Sequence, residues 1–378
     1  MDIVFIGLSI TSSWGNGHAT TYRALLRALN KRGHRLLFLE RHQPWYAENR
    51  DLPRPPYCRV GFYENPADLR ARFAHRVRQA DLVVVGSFVS DGIGISKCVL
   101  ETAQGVTAFY DIDTPVTLAA LERDACAYLS PALVPAFDLY LSFSGGASLD
   151  VLRERFGAKR PRPLYCAVDA QTYRPRTLPT RWDLGYMGTY LADRQPKVEA
   201  MLAAPARARS DRTFAVAGPQ YPDTVKWPAN VERFEHLAPG AHPAFYSAQR
   251  YTLNITRSDM VALGWSPSVR LFEAAACGAA IISDRWNGIE TFFRPGHEIL
   301  LADGTADVLA ILEDMSETER LRICAAGRAR VLEKHTAAER AVRLEAYVAE
   351  ISNLPAGRVQ MAARSLASSN VRAATARP

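Results

Sequence analysis

A predicted helix late in the chain carries side chains that could bind an anion and a hydroxyl group together. Ser266 and Pro267 are typical of a helix start, and Gly278 is typical of a helix end. Between them, Arg270 and Glu273 share one face, and apolar residues fill another. A guanidinium and a carboxylate at this spacing could instead form a solvated ion pair, which is the alternative without a ligand.

The first half of the chain holds side chains suited to proton transfer. His18 follows a glycine-rich loop, where a neutral imidazole could accept a proton from a hydroxyl group or donate to a phosphate. The alternative is that it caps the following helix. Asp111 and Asp113 form a D-x-D pattern, which could hold a metal that bridges a diphosphate. Asp113 could also cap the next helix or act as the base that deprotonates an acceptor.

Two glycine-containing loops each follow a predicted strand. In the first, Gly15, Asn16 and Gly17 precede a helix, so the backbone can approach a ligand and the helix N-terminus can face an anion. The spacing is not G-x-G-x-x-G, which argues against a dinucleotide site.

In the second loop, Gly188 and Thr189 precede a helix whose first turn contains Arg194 and Lys197. The two basic side chains could clamp a diphosphate, with the glycine and the threonine offering backbone and hydroxyl contacts. The alternative is a pair of solvated basic residues. A helix start disfavours positive charge, and this misfit favours a ligand.

The elements that position these residues alternate between strand and helix. Strand patterns cover residues 3–8, 35–40, 82–87, 107–113, 139–143, 183–188, 213–217, 231–234, 251–255 and 279–284. This alternation predicts an α/β protein with doubly wound parallel sheets, whose ligands bind beyond the carboxyl ends of the strands. Two prolines within residues 174–180 are typical of a linker, so we place a domain boundary near residue 176.

Composition narrows the class of protein. A chain of 378 residues with 48% hydrophobic residues suits two domains with separate cores. The net charge of +7 is modest, and part of it comes from four arginines near the C-terminus: Arg358, Arg364, Arg372 and Arg377. Such a weakly basic body argues against nucleic-acid binding.

The cysteines and the apolar runs bear on the compartment. The six cysteines are scattered and form no C-x-x-C motif, so we expect reduced thiols and no zinc site. No apolar run approaches the ~20 residues of a spanning helix. We therefore expect a cytoplasmic protein without a transmembrane segment, and peripheral membrane contact stays open.

Two segments carry a resemblance to a known family. The pattern Phe272-Glu-Ala-Ala-Ala-Cys-Gly278 and the loop and helix SSWGNGHATTYRALLRAL resemble GT-B nucleotide-sugar glycosyltransferases of group 1, specifically the spore maturation protein CgeB-like branch. The resemblance implies two Rossmann-like domains that face each other across a cleft. It also implies that Glu273 accepts hydrogen bonds from the donor's ribose hydroxyls. Many retaining members carry a glutamate seven residues upstream, where this chain has Ser266.

The resemblance assigns domains along the chain. Residues 1–175 would form the acceptor-side domain, and residues 176–336 would form the nucleotide-sugar-binding domain. A helix at 337–353 would cross back to the first domain. The remaining residues, 354–378, form a basic tail that their composition predicts to be disordered.

The resemblance further implies a metal-independent, hexosyltransferase-type enzyme that needs no cofactor. It would move a sugar from a nucleotide-diphosphate sugar to a hydroxyl group of a glycan, a protein or a small molecule. GT-B enzymes neutralise the diphosphate with helix dipoles and basic side chains, so we expect no metal at the D-x-D pattern. The alternatives are a nucleotide-sugar epimerase on the same fold and a non-catalytic nucleotide-sugar sensor or scaffold.

The predicted site has two parts. The catalytic candidates are His18 and Asp113, and the latter comes first if the reaction inverts the sugar. The predicted donor-binding residues are Gly15, Asn16, Gly17, Gly188, Thr189, Arg194, Lys197, Ser268, Arg270, Glu273 and Glu290.

Overall fold

The chain divides into two compact units. The computed structural model describes residues 1–352, so the predicted tail at 354–378 lies outside the described residues. Among the described residues, unit 1 contains Met1–Phe143, Leu149–Leu164 and residues 340–352, and unit 2 contains Ser144–Ser148 and Tyr165–Glu339. Each unit has its own parallel sheet.

Unit 1 is built on a seven-stranded sheet in which every strand pair is parallel. Its strands are β1 (Asp2–Gly7), β2 (Arg35–Arg41), β3 (Arg59–Tyr63), β4 (Leu82–Gly86), β5 (Val106–Asp111), β6 (Leu139–Ser142) and β7 (Pro161–Pro163), in the order β3-β2-β1-β4-β5-β6-β7. The helices of this part are α1 (His18–Lys31), α2 (Pro44–Ala47), α3 (Pro66–Gln79), α4 (Gly92–Thr102), α5 (Thr114–Glu122) and α6 (Ala147–Glu154), with a 3-10 helix at Pro131–Ala136. Central strands such as β4 are buried along their whole length, as expected where helices cover both faces.

Unit 2 repeats the plan with six parallel strands. They are β8 (Trp182–Met187), β9 (Phe214–Ala217), β10 (Val231–Phe234), β11 (Gln249–Asn254), β12 (Ala280–Ser283) and β13 (Leu300–Leu301), in the order β10-β9-β8-β11-β12-β13. The helices are α7 (Gln195–Val198), α8 (Ala204–Ala208), α9 (His242–Ser247), α10 (Ser258–Leu263), α11 (Val269–Ala276), α12 (Thr305–Asp314) and α13 (Glu317–Lys334). A π-helical segment at Glu199–Ala203 joins α7 to α8.

The last described helix, α14 (Ala337–Ser352), supplies part of the unit 1 core. Its Leu344 is fully buried and clusters with apolar residues of β1 and α1. Glu345 on the same helix accepts hydrogen bonds from Arg32 and His34 at the end of α1 and the start of β2. Unit 1 is therefore completed by residues that follow unit 2 in the sequence.

The prediction of two Rossmann-like, doubly wound α/β domains is confirmed by this architecture. Strands β3, β7 and β13 were not predicted. The strands β7 and β13 have only three and two residues, and β3 is an edge strand that is only partly buried. Among the described residues, no helix is long and apolar enough to cross a bilayer.

Replacing Leu344 with alanine should destabilise the protein by roughly 2–5 kcal/mol, because the change leaves a cavity in a packed core. Urea unfolding followed by circular dichroism measures the loss. Val342 lies on the same helix with 41% of its surface exposed, so Val342→Ala is the matched control. Equal losses in the two variants would contradict the core role of α14.

Candidate functional site

A histidine and an aspartate meet beyond the carboxyl ends of two strands of unit 1. His18 is the first residue of α1 and follows the loop after β1, whereas Asp113 follows β5. The imidazole Nε2 lies 2.5 Å from Oδ2 of Asp113. The two predicted catalytic residues, 95 positions apart in the sequence, thus form one hydrogen-bonded dyad.

The surroundings of the dyad determine where its proton lies. A contact this short between a ring nitrogen and a carboxylate oxygen requires a proton between them, which we place on Nε2 of His18. The other ring nitrogen, Nδ1, is buried and has no hydrogen-bond partner within residues 1–352. A second proton there would create an unpaired buried N–H group, which is costly. The Asp113 side chain is 23% exposed, against 12% for His18, so the carboxylate is the more accessible member.

Neither residue caps its helix through its side chain. Asp113 occupies the N-cap position of α5, but its side chain makes no capping hydrogen bond because it is turned to His18. Gly17, and not His18, occupies the N-cap position of α1.

The second aspartate of the D-x-D pattern faces the interior. Asp111 is fully buried and accepts hydrogen bonds from the hydroxyl groups of Thr117 and Tyr140, both at 2.7 Å. Burial raises the pKa of Asp111 to about 6. The two carboxylates of the pattern therefore have separate partners. Within the described part of the chain, no group of three or more acidic, histidine or cysteine side chains could hold a metal ion.

The first glycine loop lies in unit 1, beside the dyad. Gly15 has a φ of +59°, a left-handed conformation that favours glycine. The buried Asn16 amide donates to the carbonyl oxygens of Ser9 and Ser12 and accepts from the His18 backbone N–H. The Asn16 side chain thus holds the loop in place, and it has no donor hydrogen left for a ligand.

Three arginines of unit 2 form a cluster without salt bridges. Arg257 and Arg270 lie close enough to Arg194 to lower its pKa, and none of the three has a carboxylate oxygen of residues 1–352 within 4.0 Å. Burial, followed by the neighbouring arginines, lowers the pKa of Arg194. The Nε atoms of Arg194 and Arg257 are buried and lack hydrogen-bond partners among the described residues. An anion bound at this cluster would compensate the positive charge of its guanidinium groups.

Neutral groups hold two members of the arginine cluster. Arg194 donates to the carbonyl oxygen of Thr189 at 2.6 Å. Arg270 donates to the carbonyl oxygen of Met187 and, at 2.8 Å, to Oδ1 of Asn254. Carbonyl and amide oxygens orient the guanidinium groups but leave their charge uncompensated.

Other predicted donor-binding residues surround the cluster. Ser268 donates to the same Asn254 oxygen at 2.9 Å. A Cβ atom at Gly188 would lie 2.5 Å from the Tyr186 hydroxyl oxygen and 3.1 Å from Nη2 of Arg270, so this position requires glycine. The structure therefore brings Gly188, Thr189, Arg194, Ser268 and Arg270 together.

Two predicted donor-binding residues, Lys197 and Glu290, have surroundings that differ from those of the arginine cluster. The ammonium group of Lys197 pairs with Oδ2 of Asp284 at 2.6 Å, so a local carboxylate already compensates its charge. Glu290 is exposed on the 3-10 turn Ile289–Thr291. Arg257, which the sequence analysis missed, joins the arginine cluster from the loop after β11.

The predicted start of the helix that carries Arg270 and Glu273 is wrong. The helix α11 begins at Val269, with Ser268 at the N-cap position. Ser266 is buried, and its hydroxyl oxygen lies 2.7 Å from both the Ser144 hydroxyl and the Gly264 carbonyl oxygen. Those contacts keep residues 266–268 extended ahead of the helix. The predicted stop is confirmed, since Gly278 follows the last turn with a φ of +77°.

Glu273 lies in an enclosed polar environment. The residue is 3% exposed, and its carboxylate is 3.9 Å from Nδ1 of His242. Burial raises the pKa of Glu273 to about 7, while Tyr173, Arg270 and Tyr246 limit the rise. Near neutral pH this carboxyl group can therefore exist in either protonation state.

A tryptophan with a strained backbone lies just before α11. Trp265 has a φ of +44°, which is unusual for a bulky residue. A Cβ atom at Gly146 or Gly288 would come within 2.2 or 2.4 Å of its ring, so two glycines enclose the indole. The sequence analysis gave Trp265 no role, although the neighbouring Gly264 could have indicated an unusual backbone conformation at this point.

The two doubly wound parallel sheets define the GT-B fold. Residues 194–346 match the protein-family model described as glycosyl transferase-like, a range that includes the whole arginine cluster. No curated protein sequence matches this chain. The family match and the shared fold support a GT-B glycosyltransferase.

Solved structures share the architecture at low sequence identity. HepE of Anabaena, in complex with UDP and glucose, is 14% identical with a TM-score of 0.68, over 93% of this chain and 100% of HepE. Sucrose-phosphate synthase of Thermosynechococcus elongatus is 14% identical with a TM-score of 0.66, over 94% and 100% of the two chains. The T4 phage enzyme BGT, in complex with its substrate UDP-glucose, is 11% identical with a TM-score of 0.60, over 93% and 100%.

The pKa of Glu273 makes stability depend on pH. Between pH 4.5 and about 7 the unfolded chain ionises this carboxyl group while the folded chain keeps it protonated, so stability should fall by up to about 3 kcal/mol as pH rises. Glu273→Gln should flatten this part of the profile of urea unfolding against pH. Glu290→Gln, at an exposed position of the same unit, should leave the profile unchanged. An identical slope in wild type and Glu273→Gln would refute the raised pKa.

Proposed function

We propose that this protein is a glycosyltransferase that uses a nucleotide-diphosphate sugar, and that the arginine cluster of unit 2 binds the donor's diphosphate. The observation that carries the proposal is that Arg194, Arg257 and Arg270 form no ion pair with a described carboxylate, and that the Nε atoms of Arg194 and Arg257 are buried without hydrogen-bond partners among the described residues. A diphosphate supplies both the negative charge and the acceptor oxygens that this arrangement lacks. The nucleotide-sugar complexes of the HepE and T4 phage structures support the same class of donor.

The dyad of unit 1 supplies the proton chemistry in this proposal. The Asp113 carboxylate accepts the proton of the acceptor hydroxyl, while His18 holds the carboxylate through the 2.5 Å hydrogen bond. The acceptor oxygen forms a bond to the anomeric carbon, and the bond from that carbon to the diphosphate breaks. The proton ends on Asp113, and the negative charge ends on the diphosphate at the arginines.

This route is a single displacement that inverts the anomeric carbon. Ser266, where many retaining relatives of the resembled family have a glutamate, uses its hydroxyl in contacts with Ser144 and Gly264. That engagement favours a reaction without an enzyme carboxylate at this position. Glu273 remains our candidate for the ribose contact. Hexosyl transfer without a metal and membership of the CgeB-like branch are proposals that rest on the sequence segments that carry the resemblance.

Arg257→Gln should weaken the binding of the best nucleoside diphosphate by about tenfold or more, because it removes one charge-assisted contact. Isothermal titration calorimetry with UDP, GDP, dTDP and ADP identifies that ligand and measures the change. Arg209→Gln is the matched control, since Arg209 of the same unit already pairs with Asp211 and Glu313. The diphosphate assignment fails if no nucleotide binds or if Arg257→Gln binds like wild type.

Asp113→Asn should lower turnover by about a hundredfold or more and leave donor affinity unchanged, because the base is lost and the donor site is intact. The assay follows release of the nucleoside diphosphate from the matching nucleotide sugar, with a mixture of sugars offered as acceptors. A larger loss in His18→Ala than in Asp113→Asn would identify the imidazole as the base.

The same assay separates glycosyl transfer from its alternatives. An epimerase would convert the nucleotide sugar without an acceptor and without releasing a nucleoside diphosphate. A sensor would bind the nucleotide without turnover and would not respond to changes at His18 or Asp113. Either result would overturn the proposal.

A further inference from the structure

Three exposed aromatic side chains follow the carboxyl ends of neighbouring strands in unit 1. Trp45, Trp14 and Phe88 come after β2, β1 and β4, which are adjacent in the sheet. They are 50%, 54% and 41% exposed. The other large hydrophobic side chains that are exposed within residues 1–352 are aliphatic and lie elsewhere in the chain: Leu178, Leu321 and Val342. The exposed aromatic residues of the described chain thus follow three adjacent strands at the edge of the sheet where the dyad lies, and β1 precedes both Trp14 and His18.

The backbone holds Phe88 in an unfavourable conformation. Its φ is +60°, which is an outlier for an aromatic residue, and Asp91 nearby has a φ of +56°. The Phe88 ring packs edge-on to the His18 ring at 5.8 Å and lies 4.6 Å from the Tyr128 ring. Because a large part of the ring stays exposed, core packing does not explain the strain. Its placement beside the dyad suggests contact with a ligand.

Hydrogen bonds and an ion pair hold the segments that carry Trp14 and Trp45. In the Trp14 loop, Ser13 bonds through its backbone N–H and its hydroxyl to the Asp51 carboxylate, which also pairs with Arg23. The hydroxyl of Ser12 donates to the carbonyl oxygen of Asn49 at 2.7 Å, which ties this loop to the segment that follows Trp45. Exposed aromatic side chains on loops tied in this way lose little conformational freedom when a ligand binds.

We propose that Trp14, Trp45 and Phe88 form an aromatic platform that binds an oligosaccharide acceptor and presents one of its hydroxyl groups to Asp113. The inference rests on the proposed function and names its acceptor class. Sugar rings have apolar C–H faces that pack on flat aromatic rings, and their edges carry hydroxyl groups.

Polar side chains adjoin the platform residues in the sequence and suit those hydroxyl groups. Ser13 neighbours Trp14, while Gln43 and Ser90, two residues from Trp45 and Phe88, share a hydrogen bond of 3.1 Å. A membrane surface also takes up exposed aromatic side chains, but it combines them with free basic side chains. Nearby Arg41 and Arg23 are paired with Asp91 and Asp51, so these two do not offer the free cations that an anionic membrane or a nucleic-acid backbone needs.

The separation of the strands bears on the size of the acceptor. Neighbouring strands lie about 4.8 Å apart, so the three strand ends that precede the aromatic residues span roughly 10 Å. That span exceeds one pyranose ring. We therefore expect an acceptor of at least two sugars to bind better than a monosaccharide.

Titration of the full chain with cellotetraose, maltotetraose, chitotetraose and glucose tests the platform without any donor. At least one tetrasaccharide should bind by calorimetry and shift the tryptophan emission, with glucose about tenfold weaker or worse. Trp14→Ala, Trp45→Ala and Phe88→Leu should each weaken that binding several-fold. Leu321→Ala, at an exposed residue of α13, should not. Thermal unfolding of each variant checks that it is folded.

Three results would overturn the platform. The first is that no tetrasaccharide binds, and the second is that the folded variants bind as tightly as wild type. The third is that anionic lipid vesicles or a short DNA duplex bind and that the same substitutions abolish this binding, which would indicate a membrane or nucleic-acid surface.

Turnover separates this inference from the proposed function. If a tetrasaccharide binds in the predicted way but no donor transfers sugar to it, the platform stands and the transferase proposal fails. If sugar is transferred to a tetrasaccharide with the same KM by wild type and all three variants, the transferase stands and the platform fails. An increased KM with an unchanged kcat supports both.

Discussion

The positive charge of the arginine cluster, which forms no salt bridge with a described carboxylate, is the constraint on which the proposed donor site depends. Guanidinium groups repel one another and lose hydration when they are buried, so holding them together is costly unless other groups orient them. Here the carbonyl oxygens of Met187 and Thr189 and the amide of Asn254 fulfil that function. Gly188 provides the space for the Arg270 side chain. The proposed diphosphate would relieve this repulsion and desolvation, and the free energy released would add to its affinity.

In unit 1, the dyad depends on a different interaction, a hydrogen bond between an imidazole and a carboxylate. The β1 and β5 strand ends place an imidazole against a carboxylate, and the other ring nitrogen, Nδ1, has no hydrogen-bond partner among the described residues. The Asp113 side chain is partly exposed, while its neighbour in the D-x-D pattern is buried against hydroxyl groups. Two carboxylates two residues apart thus acquire different chemistry from their surroundings alone.

Much of the fold could be predicted from the sequence, because long buried strands and amphipathic helices have strong local patterns. The very short strand β7 (Pro161–Pro163) could not, since pairing with β6 defines it. A motif pointed to Arg270 and Glu273, and their contact with a donor stays a prediction. Arg257 and Phe88 have no motif, and their importance comes from neighbours distant in sequence and from a backbone angle. The start of α11 was misplaced for a similar reason, since Ser266 contacts Ser144, a residue distant in the sequence.

The place of α14 in the core of unit 1 has a consequence for protein engineering. Because the chain leaves unit 1, forms unit 2 and returns, neither unit is one continuous segment. A chimera that joins this first half to the donor half of a relative must therefore keep residues 340–352 of this chain, or supply a foreign helix that matches Leu344 and Glu345. Recombination at a single point between the halves would separate α14 from its partners. Productive exchange of donor specificity in this architecture requires two crossover points.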